Sequence, residues 1–173
     1  MADLTTLLSA YLQELVAQGA LPTGVVDTTS VGNVDAGEDT LITYTVPANL
    51  LNANGDSLEI IWNTPLAANA NSKTTKVYLN DVTGTVVAGR SATDNGGSRV
   101  HVVRVVRTAA DTVISYGLTH NGPTATTIIE TDSVTITLSS SWVIACTAEA
   151  VATNDITSRL FMVRYMPVPS YVS

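Results

Sequence analysis

The chain has one cysteine, one phenylalanine, two tryptophans and two histidines in 173 residues, with only eight Lys and Arg against fifteen Asp and Glu. Each shortage closes a class of function. A lone Cys146 cannot form an intrachain disulfide, so stability must come from burial or oligomerisation. Set within an alternating apolar pattern, it reads as a small core residue rather than a reactive thiol. A formal charge of −7 opposes binding to phosphate backbones and anionic lipid, which argues against nucleic acid as a partner. No apolar run approaches the roughly 20 residues of a membrane span, so no membrane partner is expected. The start also lacks the basic, apolar and small-residue succession of a secretory signal. His101 and His120 do not have the paired spacing of a zinc motif, and no G-x-S-x-G nucleophile elbow is present. No enzyme, cofactor or metal is expected.

What is present is apolar and small: 45% of residues are hydrophobic and 13% charged. The length suits one domain with a short appendage. Residues 1–24 read as a helix and linker, and residues 25–173 as a β-domain. Within "DLTTLLSAYLQELVAQ" Asp3 is placed to cap a helix, Gly19 to end it and Pro22 to prevent its resumption. Leu4, Leu8, Tyr11 and Leu15 share one helical face, widened by Leu7, Leu12 and Val16. That stripe needs a partner: its own domain, copies of itself, or another protein.

From Val25 the spacing changes to period two, with Thr, Val and Ile abundant, which predicts about nine strands and no second helix. "LITYTV" (41–46) sets Ile42, Tyr44 and Val46 on one face, and "SLEIIW" (57–62) sets Leu58, Ile60 and Trp62 likewise. "SVTITL" (133–138) alternates Val134, Ile136 and Leu138, and "WVIACTAEAV" alternates Trp142, Ile144, Cys146, Ala148 and Ala150. "RLFMVRYM" (159–166) is apolar on both faces, which suggests a neighbour. Turn signals at Asn54-Gly55, Asn95-Gly96-Gly97 and Asn121-Gly122-Pro123 supply residues that tolerate positive φ. The expected fold is an all-β antiparallel two-sheet sandwich, jelly-roll-like, with a short N-terminal α-helix.

Several stretches invite a chemical reading and yield a structural one. Asn52, Asn54 and Asp56 alternate as calcium ligands do, but the twelfth loop position is Asn63, and acids are too few for six to eight oxygen ligands; a turn explains them. Asp35, Glu38 and Asp39 read as an exposed acidic turn. "SRVHVVRVVRT" (98–108) concentrates Arg99, Arg104 and Arg107 among valines. It lacks flanking aromatics for sugar stacking, so it reads as an oligomer interface in which Arg pairs with acids of a neighbouring copy. The expected oligomer or attachment surface is thus Leu4, Leu8, Tyr11, Leu15, Arg104, Arg107, Phe161 and Tyr165.

The stretches "VGNVDAGEDTLITYTVPANLLNANGDSLEIIW", "NANSKTTKVYL", "NGGSRVHVVRVVRT" and "ACTAEAVATNDITSRLFMVRY" resemble a β-sandwich domain of tailed-bacteriophage virion proteins, over about residues 31–166. The resemblance rests on the "VGNV-x-x-GED" opening, the "PAN-x-L-x-x-NGD" turn, the "NAN-x-KT" lead into a strand and the "ATND" turn. It implies a non-enzymatic structural role in the virion, as a homotrimeric capsid decoration, head-fibre or tail-fibre protein. The N-terminal helix would then attach or trimerise, and the partners would be itself and major capsid or tail proteins. The alternative is a receptor-binding module that recognises host surface glycan.

Overall fold

A computed structural model describes residues 24–121 and 125–168. The predicted helix, with Leu4, Leu8, Tyr11 and Leu15, lies outside the described residues, as does the centre of the predicted Asn121-Gly122-Pro123 turn. The described strands are β1 (Gly24–Asp27), β2 (Val31–Gly32), β3 (Glu38–Val46), β4 (Ser57–Pro65), β5 (Lys73–Leu79), β6 (Thr85–Ala92), β7 (Ser98–Ala109), β8 (Thr112–Asn121), β9 (Ala125–Thr135), β10 (Trp142–Ala150), β11 (Thr157–Ser158) and β12 (Leu160–Met166). Among the described residues there is no helix. A six-stranded sheet has the order β1-β12-β4-β7-β8-β9, a four-stranded sheet β3-β10-β5-β6, and β11 pairs with β2. Every pairing between these strands is antiparallel. The large sheet ends in the meander β7-β8-β9 and the small one in the hairpin β5-β6, where a jelly roll would build two Greek keys.

Alternation explains the layering, because successive side chains on a strand point to opposite faces. In β4, Leu58, Ile60 and Trp62 are buried while Glu59, Ile61 and Asn63 keep partial exposure. Val77 and Leu79 of β5, Val103 and Val105 of β7, and Ile144 and Cys146 of β10 meet them in one cluster. The two sheets therefore face each other across a single core. Cys146 is wholly buried there, and burial pushes its thiol pKa well above the ordinary value.

Irregularities shift the simple pattern in several places. In β3 the register against β10 skips Leu41, so Leu41 turns inward beside Ile42, against strict alternation. The predicted strand 133–138 leaves its ladder after Thr135: Ile136 donates to the Asp111 carbonyl and Leu138 to the Asp111 carboxylate. Val134, Ile136 and Leu138 nonetheless stay buried, as their spacing predicts. In β6, Val87 is a bulge with no partner on β5, and its carbonyl faces β8 at Gly117. A Cβ on Gly117 would lie 1.7 Å from that oxygen. Only glycine lets the two sheets approach so closely there.

Candidate interaction surface

One face of the six-stranded sheet covers the core, and the other points away from it. Registers along the outward face align one residue per strand: Val26, Met162, Ile61, Val102, Leu118 and Ile128. This is an unbroken apolar row across all six strands, about 24 Å long at the usual strand spacing. Val26 and Ile128 are more than half exposed, at 62% and 53%, and the four between them are partly exposed. Each such side chain contributes about 1.5–3 kcal/mol when fully withdrawn from water. A contiguous apolar surface of this extent marks an interaction site.

The next row along the strands carries charge of alternating sign: Arg164, Glu59, Arg104, Tyr116 and Glu130. Arg164 pairs with Glu59 at 2.6 Å. Arg104 is exposed, and among the described residues it has only a long 3.5 Å contact to the Ser57 hydroxyl. Arg104, Tyr116, Glu130, Ile114, Val106 and Asp132 line a shallow cleft of about 250 Å³. No aromatic flanks the arginines in the sequence of residues 98–108, yet the register sets Tyr116 of β8 directly opposite Arg104. Eleven residues of intervening chain hide that juxtaposition.

The four expected interface residues within the β-domain separate. Arg104 lies on the outward face. Phe161 is 1% exposed and belongs to the core; the expectation that it meets a partner is corrected, because its side chain is already enclosed within its own domain. Tyr165 is half-buried and packs against the core, where burial, aided by the nearby charge of Asp56, pushes the phenol up to about 12. Arg107 is engaged within the chain, donating to the Leu51 carbonyl at 2.7 Å and the Ala109 carbonyl at 3.1 Å.

Arg107 and Asp56 together explain the Asn52–Asp56 stretch. Asp56 is buried; one carboxylate oxygen accepts the N–H groups of Asn52 and Ala53 at 2.8 and 2.7 Å, and the other accepts that of Val168 at 3.0 Å. Gly55 has φ +93° and donates to the Arg107 carbonyl. The carboxylate is a turn staple, as the sequence suggests. The acidic cluster is likewise occupied. Asp39 accepts the Val34 N–H, Asp35 accepts that of Gly37, and Glu38 accepts from Lys76, Tyr78 and Thr147. Burial works to raise the pKa of Glu38, but those three donors outweigh it and hold it below its ordinary value. Among the described residues no three His, Cys, Asp or Glu side chains converge as metal ligands would. His120 lies on β8 with Nδ1 3.1 Å from the Thr126 hydroxyl.

A second polar assembly, not foreseen from sequence, closes one end of the two sheets. Lys73 is fully buried, and its ammonium donates to the Asn69 carbonyl and side-chain oxygen, the Asn71 carbonyl and the Asp94 carbonyl at 2.8–3.2 Å. Arg99, also fully buried, is held by Asp94 at 2.6 Å and by the Lys73 and Arg90 carbonyls. Burial lowers its pKa, and Asp94 opposes the change. Asp155 accepts from Asn69 and Asn71, and Asn33 bridges Ala152 and Ile156. The "VGN", "NANSK" and "ATND" stretches are therefore parts of one hydrogen-bonded closure. Uncompensated charges there would cost several kcal/mol.

No protein-family model matches the chain, and no curated protein matches it. Among solved structures it is similar to that of infectious bursal disease virus, Gt strain, with a TM-score of 0.37 and 11% identity over 87% of this chain and 34% of that one. It is similar to a VP2 protein of the same virus in derived T=1 particles, with a TM-score of 0.38 and 11% identity over 84% of this chain and 32% of that one. It is also similar to the CBM2 module of the evolved Dit of Lactobacillus casei BL23 phage J-1, with a TM-score of 0.36 and 12% identity over 75% of this chain and 70% of that one. The chain spans about a third of the length of the first two. All three scores lie below 0.5, so none of these likenesses bears on what the chain does.

Proposed function

We propose that the protein is a non-enzymatic structural component of a tailed-bacteriophage virion, a homotrimeric capsid decoration or short-fibre protein, with residues 1–24 as its attachment or trimerisation element. The observation that carries this reading is the apolar row across the outward face of the six-stranded sheet, which asks for a protein partner. Two features support it. The sequence motifs that resemble phage virion domains are the structural closures of this fold, and the carboxylates of Asp56 and Asp155 accept hydrogen bonds from loop donors. Purified protein is expected to bind undecorated phage heads or tails saturably. Absence of binding to both, in protein that is folded, overturns the reading.

A second reading, a receptor-binding module for host surface glycan, is favoured by the cleft at Tyr116. An aromatic ring flanked by Arg104, Glu130 and Asp132 offers a sugar both a stacking surface and hydrogen-bonding groups. Binding of the isolated protein to host cells, lost in Tyr116→Ala, distinguishes it.

A further inference from the structure

We propose that two copies of this chain pair face to face through the outward surface of the six-stranded sheet, about a twofold axis that runs along the strands between β4 and β7. This goes beyond the homotrimer of the reading above: a threefold contact would use another surface, and the twofold contact pairs single chains or whole trimers. Its test uses purified protein alone, so it and the particle-binding test can fail separately.

Copies of a chain with net charge −7 repel one another, and they do so least where both signs are balanced. The charged row of this face holds two arginines, Arg164 and Arg104, and two glutamates, Glu59 and Glu130, in alternating order. A twofold axis between β4 and β7 is the midline of the strand order β1-β12-β4-β7-β8-β9. It sets Glu59 of each copy opposite Arg104 of the other, giving two new ion pairs beside the axis. Arg164 then lies over the ring of Tyr116 on the opposite copy, a cation–π placement. In the apolar row the same operation lays Ile61 on Val102, Met162 on Leu118 and Val26 on Ile128. Every apolar side chain of the row is covered by another.

Other axes do worse. An axis between β7 and β8 puts Glu59 over Glu130. One along β8 pairs Arg104 with Glu130 but carries Val26, Met162 and Ile61 past the partner's edge. An axis along the apolar row itself sets Arg104 over Val100 and leaves the charges uncompensated. Aligned sheets cross at about 30°, which displaces contacts at the margins most and those beside the axis least. The pairs Glu59–Arg104 and Ile61–Val102 therefore decide the fit. Six strands by four side-chain rows give a flat footprint of about 500 Å². With side-chain relief this is of the order of the roughly 800 Å² per partner that standard interfaces bury.

A twofold contact requires an even number of chains: two, or six if a threefold contact also forms. Light scattering on the full chain is expected to give one of those masses, and a mass of one chain or three overturns the proposal, whatever else covers the face. Arg104→Glu and Glu59→Arg are each expected to halve the number of chains per particle, because like charges then meet twice across the axis. Mixing the two variants restores the original mass, since every opposing pair is again of unlike sign. Circular dichroism checks that both variants are folded; both positions are on the surface. If the mixture stays at the mass of the single variants, the twofold pairing is wrong. Ile61→Glu, placed beside the axis, gives a charge-independent second variant that is expected to dissociate the pair and is not rescued by mixing.

Discussion

Asp56 holds three backbone N–H groups with two oxygens in a buried turn, so its removal leaves all three without an acceptor. Asp56→Ala is expected to lower stability by about 2–4 kcal/mol, read by urea unfolding, and added calcium leaves that loss unchanged. His101 makes a different prediction. It is fully buried, stacked on Trp62 with ring centroids 4.9 Å apart, with Nδ1 2.9 Å from the Thr119 hydroxyl. Burial, aided by the charge of Arg99, lowers its pKa from 6.5 to about 3. Between those values the unfolded chain binds a proton that the folded one refuses. Its contribution is therefore intact above pH 6.5, and stability falls as pH drops, by up to about 1.4 kcal/mol per unit. His101→Phe keeps a ring on Trp62 and is expected to flatten that slope, measured as urea midpoints in buffers between pH 5 and 7. At this scale the sequence discloses some residues and hides others. The positive φ of Gly55, Gly96 and Gly97 was legible in the Asn-Gly pairs. Buried Lys73 and Arg99 were not, because their oxygen partners come from separate loops and charge alone reads as exposure.

Period-two alternation located most of β3, all of the buried run of β4, and β10, since in each of them one face meets the core, while β12 was marked only by a run apolar on both faces. It was weaker for β6 and β8. In β8 the inward face includes Ser115, Gly117 and Thr119, which hydropathy does not distinguish from loop. These small residues are there because β6 lies close above. Gly117→Ala would drive a methyl group against the Val87 carbonyl, a backbone atom that cannot swing aside. The expected loss is about 3 kcal/mol or more. Ser115→Ala, on the same inward face, is the control: its buried hydroxyl has no partner among the described residues, so its thermal midpoint stays within a degree or two. Equal effects of the two substitutions would remove the close approach from the account. Bulges mark where alternation fails, because one extra residue at Leu41 or Val87 sends a side chain or carbonyl to the face that counting assigns to its neighbour.

For the whole molecule, an all-β antiparallel architecture was legible, and strand order was not. Order depends on pairs such as Ile61 with Met162 and Val102, remote in sequence and undistinguished locally. The candidate surface shares that property: its six apolar residues come from six strands, and no single segment announces it. The N-terminal stripe is the opposite case, visible at once in residues 3–18. Leu8→Asp with Leu15→Asp is expected to abolish particle attachment or trimerisation while the urea unfolding of the β-domain is unchanged. Retained binding and assembly would take the stripe out of the mechanism.

Lys73 has one more consequence. Four oxygens gathered around a positive centre at 2.8–3.2 Å resemble the nest that a loop would offer to a dissolved mineral ion, yet here the charge is covalently tethered. Chelators, dilution and changes of medium can strip a bound ion from such a nest, and they have no purchase on an ammonium group that the chain brings with it.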